Sequence, residues 1–259
     1  MSTFPPRPLV IAHRGDSAHH PENTLAAFEA AEQAGADAVE LDIRLTADGV
    51  PVVMHDPAVG AATDGEGAVH ELTLEEIRRF DAGGGERVPT LAEVLDRLQI
   101  GLDLEIKNLP GEASFDSPEE AILLATLARL EDSAFDRPVL ISSFNWLTLE
   151  RCRELRPDIE TGFLTVGTID PRASLSYCRG AGHRWMLPQA VALIEAGPAV
   201  VREAHDAGIR VGTWTVDDPD VSASLFAMGV DAVATNDPAA LVRRAGSGEN
   251  REGVRDGLE

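Results

Sequence analysis

The chain has 259 residues, 44% of them hydrophobic, and a formal net charge of −22 at pH 7. This length and hydrophobic content are sufficient for one large domain, whereas the negative charge argues against contact with nucleic-acid backbones, which proteins bind with clustered Lys and Arg. No segment approaches the roughly 20 apolar residues that span a bilayer, and the N-terminus lacks a signal-peptide pattern, so we expect a cytoplasmic protein without a membrane anchor.

Strands and helices are predicted to alternate along the chain. We predict strands over short apolar runs bounded by turn residues, and helices where a capping residue precedes a periodic apolar segment. In chain order, the predicted strands are 9–12, 38–46, 50–55, 101–107, 139–143, 159–164, 185–187, 209–216 and 232–235. The predicted helices are 24–34 with Asn23 as its N-cap, 73–80, 91–99 with Thr90 as its N-cap, 117–130, 146–155, 171–178, 199–207, 220–228 and 238–244.

The number and order of these strands favour a (β/α)8 TIM barrel. Asp48-Gly49 predicts a hairpin that returns 50–55 antiparallel to the strand before it, which leaves eight candidates for a parallel sheet. The predicted organisation is a single domain over 9–244, a short insertion within it at 57–88 and a disordered polar tail at 245–259. The alternative is an open doubly wound sheet, but no G-x-G-x-x-G or P-loop pattern follows any predicted strand.

Two carboxylates of the second predicted strand are placed to share a ligand. Glu40 and Asp42 alternate with Leu41 and Ile43, so both acids point to one face, roughly 7 Å apart along the strand. Two like charges side by side require a counter-charge, and a hard divalent cation takes oxygen ligands. A solvated acidic face is the simpler alternative, and the apolar residues that alternate with the acids make it the less favoured one.

Two histidines stand next to the same predicted strands. His13 follows the first apolar run, and His55 ends the strand that the hairpin returns beside the two acids. A histidine near a carboxylate cluster at a strand end suits general acid or base catalysis. A single histidine after a strand is more often a packing residue, so the interpretation rests on the combination of the two with the acids.

The predicted strand 101–107 adds a third acid and a base to this face. Residues 103, 105 and 107 share one side of the strand, so Glu105 can join the two earlier acids, with Lys107 beside it. Lys107 is the single lysine among 22 Lys and Arg residues, which favours a specific role for its ammonium group. A simple ion pair with Glu105 is the structural alternative, and the two roles are compatible.

For three further residues, the sequence gives weaker or no indications of a role in the site. Trp214 ends a predicted strand and can be either an apolar wall for a substrate or a core residue. Cys152 and Cys178 are the only cysteines and show no metal or redox spacing, so we expect free thiols.

Short motifs along nearly the whole chain are similar to those of a known family. In order they are H-R-G, P-E-N-T, E-L-D, T-A-D-G, V-x-x-H-D, P-T-L-x-E-V, L-E-I-K, S-S-F, W-T-V and T-N-x-P. This ordered set spans residues 9–242 and resembles the glycerophosphodiester phosphodiesterase family.

The resemblance implies a barrel enzyme that hydrolyses a small-molecule glycerophosphodiester to glycerol 3-phosphate and an alcohol with a divalent cation. The family's site residues would fall on the metal ligands Glu40, Asp42 and Glu105, the catalytic histidines His13 and His55, and the phosphate-binding residues Arg14 and Lys107. Because all three ligands are carboxylates, we expect Mg²⁺ or Ca²⁺. The sequence does not indicate an oligomeric state.

The chain departs from the family pattern at three places. Ala61-Ala62-Thr63 stands where the family usually has Arg-Thr-Thr, and the insertion between Asp56 and Pro89 is short. Both departures leave the head-group specificity open. Asp217 stands where Asn commonly follows the W-T-V motif, and the sequence indicates no consequence of this difference.

Two other functions remain as alternatives. The first is a phosphodiesterase that acts on a lysophospholipid. An apolar membrane-facing loop would favour it, and the insertion shows none. The second is a binding protein without activity, which would have lost a histidine or an acid of the site, yet all these positions are filled.

Overall fold

A computed structural model describes residues 2–246 as a closed barrel of eight parallel strands surrounded by helices. The strands are β1 (Leu9–His13), β2 (Ala38–Leu45), β3 (Pro51–Val53), β4 (Gly101–Ile106), β5 (Val139–Ser143), β6 (Glu160–Thr165), β7 (Trp185–Pro188), β8 (Arg210–Thr213) and β9 (Ala232–Thr235). The first strand pairs in parallel with both β2 and β9, which closes the barrel. The predicted (β/α)8 architecture is therefore confirmed, and the doubly wound alternative is wrong.

The helices lie outside the barrel. They are α1 (Leu25–Gln33), α2 (Leu74–Ile77), α3 (Leu91–Arg97), α4 (Ala121–Asp132), α5 (Trp146–Leu155), α6 (Pro171–Ala181), α7 (Ala190–Ala196), α8 (Pro198–Asp206), α9 (Pro219–Ala227) and α10 (Pro238–Gly246). None of the helices over residues 2–246 is long and apolar enough to cross a membrane.

The hairpin predicted at Asp48-Gly49 is present. The strand β3 pairs antiparallel with the end of β2, with Val53 opposite Ile43, and the Met54 amide donates to the Asp42 carbonyl over 2.9 Å. The hairpin thereby places His55 next to the carboxylate strand.

Apolar side chains pack on both sides of the barrel wall. Leu41 and Ile43 are fully buried in the layer between the strands and the helices. Inside the barrel, Phe4 reaches the N-terminal end and packs edge-on against Trp185, with the ring centroids 6.1 Å apart. The lower part of the barrel is lined with apolar side chains, and the polar residues concentrate toward the carboxyl ends of the strands.

Several details of the sequence prediction are wrong. The helix predicted from residue 117 begins at Ala121, and the strand predicted over 209–216 is limited to Arg210–Thr213. Thr24, not Asn23, is the N-cap of α1, and its hydroxyl accepts from the Ala27 amide. Asn23 has a positive φ of 57°, a conformation that Asn tolerates better than most residues, and its side chain turns into the barrel. The helix α7 was not predicted because Gln189, which precedes it, is not a preferred N-cap residue, and in the structure it makes no capping hydrogen bond. Within the predicted tail, residues 245 and 246 belong to α10, and 247–259 lie outside the described residues.

Candidate active site

Four acidic side chains meet inside the barrel near its carboxyl end. The parallel register pairs Glu40 with Asp103 and Asp42 with Glu105 on neighbouring strands. All four side chains are buried, and Asp42 has no solvent exposure. One carboxylate oxygen from each of Glu40, Asp42 and Glu105 lies within 4.8 Å of the others. The structure therefore brings together the three acids that the sequence analysis singled out as metal ligands.

Two cationic side chains neutralise part of this charge. The Lys107 Nζ atom lies 2.8 Å from Asp42 Oδ1 and 2.6 Å from Glu105 Oε1, and Arg14 Nε lies 3.3 Å from Asp42 Oδ2. Burial favours a protonated Asp42, but the charges of Lys107 and Arg14 outweigh it and lower the pKa of this carboxyl to about 2. Asp42 is therefore ionised and held between two cations.

The other acids lack sufficient positive charge. Burial, with the charges of Asp42 and Glu105, raises the pKa of Glu40 well above its usual value. Burial also raises the pKa of Glu105 to about 7, despite the nearby Lys107. No hydrogen-bond donor from the described part of the chain reaches Glu40 Oε1. A cluster of buried oxygens that is short of positive charge suits a hard divalent cation.

His13 lies at the end of β1 beside this cluster. Its Nε2 atom is 3.9 Å from Glu40 Oε2, and its Nδ1 atom is 2.8 Å from Asn236 Oδ1. Burial and then the Arg14 charge lower the pKa of His13, which favours the neutral imidazole. One ring nitrogen therefore faces the acids, and the other contacts an amide.

His55 follows β3 and is held through both its backbone and its ring. Its Nδ1 atom lies 2.9 Å from Asp56 Oδ1. Its carbonyl accepts from Arg44 Nε over 2.8 Å and from Arg44 Nη2 over 2.6 Å. The buried Arg44 guanidinium also donates to both carboxylate oxygens of Glu112, over 2.6 and 3.0 Å. Burial and then the Lys107 charge lower the pKa of His55, so both site histidines favour the neutral form.

The loop after β1 orients Arg14. Its Nη1 atom donates to the two carboxylate oxygens of Glu22 over 3.0 and 3.1 Å, and its backbone amide donates to the Glu40 side chain over 3.1 Å. Gly15 follows with a φ of 86°, and a Cβ atom there would lie 2.6 Å from the carbonyl carbon of Ala27. Glycine is therefore required at this position for the loop to pack against α1.

Asn23 joins the site from the same loop. Its side-chain Nδ2 donates to Asp42 Oδ2 over 2.8 Å, so the amide supports the carboxylate instead of capping the helix. The P-E-N-T motif thus supplies Glu22 to Arg14 and Asn23 to Asp42.

A cavity of about 230 Å³ connects these residues to an apolar wall. Its titratable lining residues are His13, Arg14, Glu40, His55, Asp103, Glu105 and Lys107. On the other side lie Phe144, Leu164, Leu187 and Trp214. The indole Nε1 of Trp214 donates to the Leu187 carbonyl over 2.9 Å, and its ring packs edge-on against Phe144 at 5.5 Å between centroids. Trp214 therefore lines the cavity in a fixed orientation.

Four contributors were not assigned from the sequence. Asp103 is buried beside Glu40 on the neighbouring strand, where burial raises its pKa to about 7. Arg44 contacts the His55 carbonyl, and Asn236 and Asp217 form a hydrogen-bonded pair behind His13. The signals in the sequence were the position of Asp103 on the inward face of its strand, the place of Asn236 in the T-N-x-P motif, and the place of Asp217 directly after a predicted strand, where Asn is common in the family; Arg44 had none.

Comparisons with known proteins identify the family of this chain. A family model described as the glycerophosphoryl diester phosphodiesterase family matches residues 13–240. A glycerophosphodiester phosphodiesterase of Caldanaerobacter subterraneus subsp. tengcongensis is 36% identical over 249 residues, which covers 90% of this chain and 96% of that protein. A glycerophosphodiester phosphodiesterase of Bacillus altitudinis is 31% identical over 246 residues, again 90% and 96% of the two chains.

A solved structure has the same fold. It is an Oleispira antarctica phosphodiesterase in complex with the product sn-glycerol-3-phosphate. It is 31% identical, superposes with a TM-score of 0.84, and the match covers 93% of this chain and 98% of that one.

Proposed function

The chain belongs to the glycerophosphoryl diester phosphodiesterase family, and we propose that it hydrolyses glycerophosphodiesters to sn-glycerol 3-phosphate and an alcohol with the help of a divalent metal ion. The observation that carries the proposal is the group of three buried acids within 4.8 Å of one another, flanked by two histidines and two cations at one cavity. The related Oleispira antarctica enzyme, which binds sn-glycerol-3-phosphate, supports the choice of substrate class.

Glu40, Asp42 and Glu105 would hold the metal ion. The unsatisfied Glu40 Oε1 and the raised pKa values of Glu40 and Glu105 support this assignment, because each reports missing positive charge. The donor set contains oxygen only, which suits Mg²⁺ or Ca²⁺. When bound, such an ion supplies positive charge that makes the phosphorus more electrophilic.

Arg14 and Lys107 supply the fixed positive charge of the protein itself. Both side chains line the cavity, and each is already oriented by carboxylates, Arg14 by Glu22 and Lys107 by Glu105. Cations held in place before the substrate arrives need no reorganisation to stabilise the negative charge that develops on phosphate oxygens. We assign them to the substrate phosphate.

His13 and His55 carry out the two proton transfers of the reaction. A new bond forms between the nucleophile oxygen and phosphorus, and the bond between phosphorus and the alcohol oxygen breaks. One histidine accepts the proton of the nucleophile, and the other donates a proton to the leaving oxygen. The nucleophile is either water or the neighbouring glycerol hydroxyl, in which case water opens a cyclic phosphate in a second step.

The apolar wall with Trp214 and Phe144 completes the site. It offers a surface for the carbon atoms of the glycerol or the alcohol, opposite the charged residues that take the phosphate. Trp214 therefore contributes to binding and not to proton transfer.

The decisive test is the release of sn-glycerol 3-phosphate from glycerophosphodiesters that carry choline, ethanolamine or glycerol as the alcohol. We expect turnover of at least one of them with added Mg²⁺ or Ca²⁺. If no member of the panel releases sn-glycerol 3-phosphate with either ion, the proposed substrate class is wrong.

A further inference from the structure

A chain of hydrogen bonds runs from the protein surface to His13. Asp217, four residues after the end of β8, accepts from the Asn236 side-chain Nδ2 over 2.9 Å through its Oδ2 atom. Asn236, directly after β9, then presents its Oδ1 atom to His13 Nδ1 at 2.8 Å. Asp217 belongs to no part of the metal cluster or the cavity lining.

Asp217 is held in place by two further donors. Its Oδ1 atom accepts from the Thr235 hydroxyl over 3.0 Å and from the Asn236 backbone amide over 2.7 Å. Both carboxylate oxygens are thus occupied by donors from the end of β9. Asp217 is exposed to solvent, so it acts through the direction of these hydrogen bonds and not through burial.

The carboxylate decides which way the Asn236 amide faces. An ionised carboxylate only accepts hydrogen bonds, so the NH₂ group of Asn236 must point toward Asp217. The amide oxygen then points toward His13, where Ser17 Oγ also lies 3.0 Å from it. An amide oxygen cannot donate, and the short contact to His13 Nδ1 therefore requires the proton to be on that nitrogen.

We propose that Asp217 is a positioning residue that, through Asn236, holds His13 as the tautomer with its proton on Nδ1. The lone pair of the neutral ring is then on Nε2, the nitrogen that faces the acid cluster. Only in this form can the neutral ring accept a proton at Nε2, and the imidazolium that results carries that proton at the reacting side. Because the proton-transfer role of His13 belongs to the proposed function, this inference refines that function.

The substitution Asp217→Asn tests the orientation directly. The new amide keeps its oxygen toward Thr235 and the Asn236 backbone, so its NH₂ group faces the NH₂ group of Asn236. Two donors cannot pair, and the Asn236 amide turns over to offer its oxygen. His13 Nδ1 then meets a donor, and the ring proton moves to Nε2. We expect kcat to fall about 10- to 100-fold, the usual scale for a residue that orients a site ligand, with KM changed by less than about threefold.

The double substitution D217N/N236D exchanges the two groups and should reverse the effect. The new carboxylate at position 236 accepts from His13 Nδ1 and from the new amide at position 217, so the ring proton returns to Nδ1. We expect kcat to recover to within about threefold of the unsubstituted protein. Because the exchange also restores the hydrogen bond between positions 217 and 236, the recovery of kcat alone would fit a purely structural tie, and the His13 tautomer separates the two roles.

Asp218→Asn is the matched control. It removes one negative charge from the next residue, whose Oδ1 caps α9 by accepting from the Asp220 and Val221 amides. Asn caps a helix about as well as Asp, so this variant should keep both kcat and the His13 tautomer.

The tautomer itself is read from the ¹⁵N chemical shifts of the His13 ring at about pH 8, above the ordinary histidine pKa of about 6.5. The unsubstituted protein and D217N/N236D should show the proton on Nδ1, and D217N should show it on Nε2. The inference is overturned if D217N keeps the proton on Nδ1, or if the double variant fails to restore it. This spectrum does not depend on turnover, so a protein that hydrolysed no glycerophosphodiester would contradict the proposed function and still decide the role of Asp217.

Discussion

The two halves of the barrel mouth have opposite chemistry. On β1, β2 and β4, and directly after them, the inward side chains at the mouth are ionisable. The charges of Arg14 and Lys107 compensate Asp42, whereas Glu40 and Glu105 are short of positive charge. After β5 and β8 the corresponding positions hold Phe144 and Trp214, which pack together. The proposed catalytic groups are therefore confined to one half of the mouth, and the other half presents an apolar wall.

If the two halves have separate roles in catalysis and binding, substitutions in the charged half should lower turnover, and those in the apolar half should weaken substrate binding.

Removal of the metal gives the largest expected effect. The carboxylate cluster lacks positive charge without a cation, so a strong chelator should abolish the release of sn-glycerol 3-phosphate. Added Mg²⁺ or Ca²⁺ should restore it, and a circular dichroism spectrum serves as the control for the fold. Full activity after exhaustive chelation would show that the reaction does not need a metal ion at the charged half.

The two histidines come next. His13→Ala and His55→Ala should each lower kcat about 100-fold or more, the usual scale for a general acid or base. His205→Ala, which removes an exposed histidine paired with Asp231, should leave kcat unchanged.

The same variants assign the two proton-transfer roles. The histidine that protonates the leaving oxygen should matter less for a nitrophenyl diester, because nitrophenolate departs without a proton. Equal losses for both variants on natural and activated diesters would contradict the division into one acid and one base.

A smaller effect is expected from the support of His55. Arg44→Met leaves the Glu112 carboxylate without its partner and releases the His55 carbonyl. We expect a loss of about 3 kcal/mol in the free energy of unfolding, typical of a broken buried pair, and a fall of about tenfold in kcat. Urea denaturation and steady-state kinetics measure the two. As a control, Arg156→Met removes the more exposed ion pair with Asp158 and should change neither the free energy of unfolding nor kcat by much. If Arg44→Met is as stable as the unsubstituted protein, the Arg44 contacts do not support the site.

The apolar half should give the smallest effect, and one of a different kind. Trp214→Ala removes the ring that faces the cavity, and we expect KM to rise about tenfold while kcat changes little, the pattern of lost ground-state binding. Trp146→Ala, which removes an exposed tryptophan on α5, is the control. A fall in kcat with an unchanged KM would show that Trp214 acts in the catalytic step, and it would contradict the assignment of the apolar half to substrate binding.

Much of the charged half could be predicted because its signals are local. Glu40 and Asp42 alternate with apolar residues, and the period of two in a strand determines their common face. The hairpin at Asp48-Gly49 brought His55 back for an equally local reason. Asn23 was mistaken for a helix cap because its partner, Asp42, lies on a different element, and capping preferences contain no information about such contacts.

The sequence by itself determined the eight strands, the face that the acids share and the family to which the motifs belong. Only the tertiary structure decided how the strands align, and therefore that Glu105 stands beside Asp42 and that Arg44 reaches Glu112, 68 positions away. It also decided that Asn236 meets His13 across 223 positions. The physical reason is that closing the barrel joins β9 to β1, so the partners of a side chain are set by strand register and closure, which no local pattern encodes.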